Sequence, residues 1–308
     1  MEINKKRYRD FDSYFKKKYK KKIIKLPLDG GFTCPNRDGT ISDKGCIYCS
    51  ENGAGDFTNR LDDIDKQIEF QINRLRKKDR DEGYIAFFQN FTSTYGDINY
   101  IRYVFYKAIN NPSIMGLSIA TRADCLTDEV LELLDDLNKK TFLIVELGLQ
   151  SVNEDTISFI NRGYSHREFD KGVLKLNNLN IKTLAHLIIG LPKEDINDYL
   201  KDVDYINKRG FWGLKIHNLY IEDDTLIYDY YKENENLFTM TKDEFTDYII
   251  EILGKLNPSI VIQRLTGDGR YDRIVWPIWS KNKAAVLSTI DKKLKDMNLK
   301  QGDLWKEN

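Results

Sequence analysis

The sequence predicts an α/β fold, a partial barrel of six parallel strand-helix units followed by a small C-terminal α/β extension. Three observations lead there. Short β-rich runs alternate with stretches of helical periodicity from residue 22 to 222, and that rhythm changes past 222. The chain has 308 residues, 41% of them hydrophobic, enough to bury a core of this size.

The elements follow in order. Residues 1–22 form a basic aromatic segment with ten Lys or Arg against Glu2, Asp10 and Asp12; its charge of +7 is offset by −7 over the rest. Tyr8, Phe11, Tyr14, Phe15 and Tyr19 interleave with the cations at spacings that line one side of a short helix. Such a segment suits a polyanion, through phosphate contacts and stacking, or else is a solvated helix that docks its aromatics on the body. KIIKLPL (22–28) is the first strand, and Leu61, Ile64, Ile68, Ile72 and Leu75 make the stripe of a helix that covers a sheet. The strands YIAFFQN (84–90), MGLSIAT (115–121), FLIVELGLQS (142–151), IKTLAHLIIGLP (181–192) and GLKIHNLYI (213–221) follow. Helical stretches 97–110, 127–140, 153–180 and 194–208 lie between them, each opening near a capping residue. The core therefore runs from 23 to 222. The extension, 223–308, holds a helix near 241–256, a strand VIQRL, a polar loop TGDGRYDR and a final lysine-bearing helix.

No apolar run approaches eighteen residues, which excludes a membrane-spanning helix, and the start lacks the apolar stretch of a secretory signal. The expected compartment is a reducing cytoplasm, where clustered cysteines bind metal or do chemistry more often than they form disulfides. Cys34, Cys46 and Cys49 fall within sixteen residues, in the loop that follows the first strand. Folds of this class put their chemistry at the carboxyl ends of the strands. A structural zinc site needs a fourth ligand, from Cys125, His166, His186 or His217. Three thiolates on an iron-sulfur cube instead leave one iron open to a substrate or cofactor. Spacing alone leaves both open.

The run Cys46-Ile47-Tyr48-Cys49 after the first strand resembles the radical S-adenosylmethionine superfamily. The eleven-residue first gap is similar to a narrower bacterial group whose core is like the catalytic subunit of Elongator. The likeness continues through DGGFTCPNRDGT, FFQNFTSTY, LSIATRADCL, VELGLQSVNEDTISFINRG, AHLIIGLPKE, GLKIHNLY and RLTGD with WPIWSKNKAAVL. Two departures stand out: Ala123 where the group usually has Pro, and Tyr220 where a second histidine is common.

The resemblance implies a partial (β/α)6 TIM-like barrel, with Cys34, Cys46 and Cys49 holding a 4Fe-4S cluster whose fourth iron chelates S-adenosylmethionine. Tyr48 would sit over the adenine. Gln89, Asn90, Thr92 and Thr94 would lie near the methionine amino group, and Ser118, Thr121 and Arg122 end the third strand. Glu146 and Gln150 would point toward the barrel interior or its mouth, with the ribose hydroxyls as suitable partners for the Glu146 carboxylate; a structural pairing of Glu146 with Arg122 is the alternative. The turn Gly190-Leu191-Pro192 would pass the adenine. Lys215 and His217, which share a strand face, are candidate catalytic residues together with Gln150. His186 is either packed or functional, Cys125 is a buried small residue, and RLTGDGR (264–270) is either a loop that closes the site, with Arg264 or Arg270 meeting phosphate or carboxylate, or a surface turn.

The substrate the resemblance implies is transfer RNA. The expected reaction converts a wobble 5-carboxymethylaminomethyl-uridine to the 5-aminomethyl form, after one-electron cleavage of the cofactor to a 5'-deoxyadenosyl radical. The expected partners are that RNA, a reducing donor such as flavodoxin or ferredoxin, and a downstream S-adenosylmethionine-dependent methyltransferase. A radical enzyme acting on a small molecule, and a zinc-stabilised RNA-binding protein, are the competing readings.

Overall fold

A computed structural model describes residues 6–51, 53, 58, 63–75 and 81–307. Leu61, Lys5 and Glu2 of the sequence argument lie outside the described residues. The elements are α1 (Phe11–Tyr19), β1 (Lys22–Leu28), α2 (Ile64–Leu75), β2 (Glu82–Phe88), α3 (Ile98–Ile109), β3 (Ile114–Thr121), α4 (Asp128–Lys140) and β4 (Phe142–Gln150). Next come α5 (Glu154–Phe159), α6 (His166–Asn178), β5 (Lys182–Ile189), α7 (Ile196–Arg209), β6 (Gly213–Asn218) and β7 (Ile221–Glu222). The chain closes with α8 (Leu226–Glu233), α9 (Lys242–Lys255), β8 (Val261–Arg264), β9 (Ile274–Trp276) and α10 (Lys283–Asp296). The main sheet has the strand order β1-β2-β3-β4-β5-β6-β8, and β7 pairs with β9 in a small antiparallel sheet. Among the described residues, no helix is long and apolar enough to cross a membrane.

The chain divides into two compact units. One is Asp12–Gly148 with Arg162–Leu184, and contains β1 to β4 in parallel register. Its strands are buried on both faces, as parallel strands covered by helices must be: Gly83–Phe88 is buried throughout, and Leu143, Ile144, Val145 and Leu147 are 0% exposed. Its helices begin where polar caps allow. Asp97 accepts from Tyr100 N–H, and Thr127 from Val130 N–H, placing Val130, Leu133, Leu134 and Leu137 of α4 against the sheet.

Within this unit α1 packs Phe15 (1% exposed) edge-on to Phe142, 5.1 Å between centroids, so the helix docks its aromatics as one of the two sequence readings expected. Phe142 is the first residue of β4 and Lys182 the first of β5, which places α1 at the strand starts. The cysteine loop leaves the other end of β1, seven residues on and about 20 Å away.

The other unit comprises residues up to Phe11, Leu149–Asn161 and Ala185 onward. Here α7 starts on an Asp195–Asp198 capping box and stops at Gly210, in the left-handed region at φ 66°. Three boundaries differ from the sequence reading. The stretch 153–180 is two helices, divided where Asn161 and Gly163 take positive φ. The run 213–221 ends as a main-sheet strand at Asn218, and Ile221 turns to pair with Trp276. VIQRL, placed in the extension by its position in the chain, lies parallel to β6 and widens the main sheet to seven strands.

Candidate active site

In the unit of residues 12–148 and 162–184, the cysteines sit on a loop folded by its own backbone. Arg37 and Asp38 N–H donate to Cys34 O (2.8 and 3.1 Å), and Cys49 N–H donates to Cys46 O (3.0 Å). Arg37 braces the far strand of the loop by donating to Cys49 O and Glu51 O, both at 2.9 Å. Its side chain crosses Gly45, where a Cβ would stand 2.7 Å from Arg37 Nε. Asn36, fully buried, points its amide at Cys46 Sγ (3.7 Å). Cys34, Cys46 and Cys49 are free thiols, each partly exposed.

Burial and nearby polar groups act in opposite directions on Cys46, and burial is the larger. Burial raises the Cys46 thiol, while the Arg122 guanidinium and the Tyr48 and Asn36 side chains act the other way. Burial and the neighbouring Cys46 and Cys49 raise the Tyr48 hydroxyl well above its ordinary range, so it stays a neutral phenol. Arg122 is fixed by Asp124 (3.0 and 2.8 Å) and by donation to Arg162 O (2.8 Å), and lies 4.6 Å from the Tyr164 ring centroid. Cys125 is different in kind. It is 8% exposed and burial pushes its thiol up to about 12, so it is an inert small residue.

The donor set suits an iron-sulfur cube. Three soft thiol ligands sit on one loop, with a cation and an amide beside them and, among the described residues, no carboxylate or imidazole completing a zinc set. Among the described residues no three His, Cys, Asp or Glu side chains converge on one point, and a cube, which takes each thiolate at a separate iron, does not require it. Beyond β2, Asn90 Oδ1 and Thr92 Oγ1 are buried without a partner, at residues 4% and 1% exposed. Two orphaned acceptors of this kind fit an ammonium group such as that of S-adenosylmethionine. Gln89 beside them is half-buried.

Deeper in the same unit, Glu146 of β4 is ion-paired with Lys25 of β1 and accepts from Ser118 Oγ (2.6 Å). Arg122 is therefore not the partner of Glu146, because its fork is taken by Asp124 two residues on. Thr94 meets Thr121 at 2.6 Å and donates to Cys125 O, tying the β2 and β3 exits together.

The other unit carries the rest of the sequence-predicted residues. Gln150 (9% exposed) has φ 56°, and Gly190 has φ 102° with Met240 Sδ 3.2 Å from where its Cβ would be. His186 of β5 and His217 of β6 stand with ring centroids 6.0 Å apart, and Lys215 of β6 lies in register with Arg264 of β8. Arg264 pairs with Asp268 (3.1 Å). The loop RLTGDGR is pinned to the end of β6. Asn218 Oδ1 accepts from Thr266 Oγ1 (3.0 Å) and Gly267 N–H (2.8 Å), and Tyr220 packs its ring on Gly267 and Gly269. Arg270 is engaged by Glu222, 3% exposed, and by Asp224. Sequence reasoning missed Asn36, Lys25, Tyr164, Glu194 and Asp202. Of these only Asn36 carried a local signal, two residues after the first cysteine.

Comparison with known proteins agrees. The Radical SAM superfamily profile matches residues 34–206 and the Radical_SAM C-terminal domain profile matches 211–296. The chain is 37% identical over 301 residues to YtqA of Bacillus subtilis (strain 168), covering 97% of this chain and 93% of that one. A more distant relative, the threonylcarbamoyladenosine tRNA methylthiotransferase of Caenorhabditis elegans, is 24% identical over 189 residues, 56% of this chain and 44% of that one. Among solved structures, the archaeal Methanocaldococcus infernus Elp3 with an N-terminus deletion aligns at TM-score 0.69 and 18% identity. The match covers 91% of this chain but only 64% of that one, and shows the shared partial-barrel fold. Spacing of the thiols, fold and profile coincide, and the chain belongs to the radical SAM superfamily, enzymes whose cofactors are a 4Fe-4S cluster and S-adenosylmethionine.

Proposed function

We propose that this radical SAM enzyme acts on transfer RNA, converting wobble 5-carboxymethylaminomethyl-uridine to 5-aminomethyl-uridine. The observation that carries the RNA half of the reading is a pair of cations with no acidic partner among the described residues. Lys18 of α1 and Lys182 of β5 both lie over the Phe142 ring, 4.5 and 5.2 Å from its centroid. Burial and Lys18 together lower the Lys182 ammonium. Bringing like charges together at a surface costs free energy that a phosphodiester recovers. A cavity of about 530 Å³ lined by Lys139, Lys140 and Phe142 adjoins them. The tRNA methylthiotransferase relative, which by its name acts on tRNA, supports the same class of substrate.

When bound, the cluster and S-adenosylmethionine would supply one-electron, hydrogen-abstracting chemistry at the substrate. The chain's own residues have three tasks in this reading. Cys34, Cys46 and Cys49 hold the cluster, with the Arg122 guanidinium and the Asn36 amide opposing the effect of burial at Cys46. In the unit of residues 12–148 and 162–184, Asn90, Thr92 and Gln89 receive the methionine amino group, Tyr48 borders the adenosine, and Ser118 and Glu146 brace the strands there; in the other unit, Gln150 and Gly190 are assigned as adenosine contacts. Lys215, with His217 and Arg264 beside it, binds the carboxylate of the departing carboxymethyl group, and His217 serves as its proton donor or acceptor. In the balanced reaction the glycyl methylene would lose one hydrogen atom and one electron, water would hydrolyse the resulting imine, and the carboxymethyl unit would leave as glyoxylate with the amine kept on the base. Flavodoxin or ferredoxin would exchange the electron, and a methyltransferase takes the aminomethyl product.

The test supplies purified transfer RNA carrying the carboxymethylaminomethyl base to reconstituted enzyme with reductant and S-adenosylmethionine, followed by nucleoside analysis. Loss of that base and gain of the aminomethyl base is expected. An unchanged nucleoside alongside active cleavage of S-adenosylmethionine would remove this substrate and favour a small molecule.

A further inference from the structure

In the unit of residues 149–161 and 185 onward, two exit turns are held by one helix and its lead-in. The Ser151 hydroxyl donates to Glu194 Oε1 (2.6 Å), Val152 N–H donates to Asp202 Oδ1 (2.7 Å), and Gly190 N–H donates to the Tyr199 hydroxyl oxygen (3.0 Å). Glu194 lies just before the N-cap Asp195, and Asp202 lies within α7. The acids hold the turn that carries Gln150, and Tyr199 holds the one that carries Gly190. Gln150 at φ 56° is in a conformation that side chains rarely adopt, and it persists only where neighbours enforce it.

Each carboxyl has a second oxygen. Glu194 Oε2 and Asp202 Oδ2 are both buried without a hydrogen-bond partner, and Asp202 is 0% exposed. Their first oxygens grip consecutive residues, 151 and 152, which brings the two carboxyl groups together. Lys201, the cation that acts on both, is already paired with Asp198 at 3.0 Å. Two ionised carboxylates there would leave a buried charge uncompensated, whereas one proton between the orphaned oxygens satisfies both.

We propose that Glu194 and Asp202 share one proton, and that this carboxyl pair locks the β4 exit turn to the β5 exit turn, making both acids positioning residues for the cofactor contacts at Gln150 and Gly190. The cofactor part rests on the assignment of those two residues made above. The charges are consistent with it. Burial is the largest cause in both acids, raising Glu194 to about 7 and Asp202 well above the carboxylate range, with each other's neighbourhood adding to the rise in Asp202. The titratable groups that face the pair are Asp198, Tyr199 and Lys201 on α7, with Tyr248 of α9 behind Tyr199; the β4 exit and α5 contribute only the hydroxyls of Ser151 and Thr156.

The sign of the pH effect follows. Groups whose folded values lie above their unfolded ones bind a proton more tightly in the folded chain. Their contribution is fully present below the unfolded value, and is lost as pH rises through the folded one. The experiment measures the melting temperature of the full chain from pH 5 to 8, and the dissociation constant of S-adenosylmethionine on the reconstituted protein over the same range. Asp202→Asn keeps an acceptor for Val152 N–H and presents a fixed N–H to Glu194, so it should melt with a flatter pH dependence than the native chain. It should also hold S-adenosylmethionine evenly across the range, where the native chain weakens above about pH 7. Asp202→Ala, which removes the link, should weaken binding about ten-fold at pH 6, the effect of one lost hydrogen bond. An unchanged melting slope in Asp202→Asn overturns the shared proton. A flattened slope with cofactor affinity unaltered in Asp202→Ala overturns the positioning role. No RNA is present, so either failure is separate from that of the substrate reading.

Discussion

Lys25 and Glu146 meet in the interior of the β1–β4 unit, with the Lys25 ammonium 3.4 Å from the Phe87 ring centroid and Ser118 Oγ on the same carboxylate oxygen. The two side chains are 13% and 0% exposed, so the pair is essentially out of water. Such a pair gains little over apolar packing, but removing one member strands the other's charge. Lys25→Met should lower unfolding free energy by about 3–5 kcal/mol in urea titration, and Glu146→Leu added to it should recover a large part. Additive losses would show that the pair does not act as a unit.

The four cysteines should separate by reactivity. In cluster-free protein at pH 8, alkylation followed by peptide mass analysis should find Cys34, Cys46 and Cys49 modified and Cys125 spared, since its thiol is buried and raised to about 12. Modification of Cys125 at the rate of the others would contradict its burial.

Cation placement at α1 predicts a salt dependence. Replacing Lys18 and Lys182 together by Gln should reduce the slope of log K against log salt for transfer RNA binding by about 1–2, one counterion or slightly less per phosphate contact. A parallel slope would mean that this surface does not touch the backbone.

The glycines under Tyr220 are a packing requirement. A Cβ at Gly269 would stand 2.6 Å from the Tyr220 ring, and one at Gly267 2.7 Å. Gly269→Ala should cost about 1–3 kcal/mol by thermal unfolding, and Tyr220→Ala in the same chain should relieve most of the added cost. A tolerated Gly269→Ala would show that the loop has room to move.

How much of this was legible beforehand depends on how local the signal is. The three cysteines, the strand-helix alternation and the cap residues of α3 and α4 are short-range patterns, and the structure places them as read. The engagement of Arg270 by Glu222 and Asp224 joins residues 48 and 46 positions apart, and the Lys25–Glu146 pair spans 121. No periodicity announces such meetings. The same holds for β8, whose position late in the chain suggested a separate extension until its register with β6 was seen. Glu194 and Asp202 read as ordinary polar positions of a helix, and only their burial makes them unusual.

The separation of α1 from the cysteine loop, one strand length within a single unit, has a consequence for what the protein can distinguish. A molecule that touches both ends must itself be about 20 Å long or more, as a folded polynucleotide is and a free nucleoside is not. On the transfer RNA reading proposed above, the fold would work as a caliper that measures the length of what is bound.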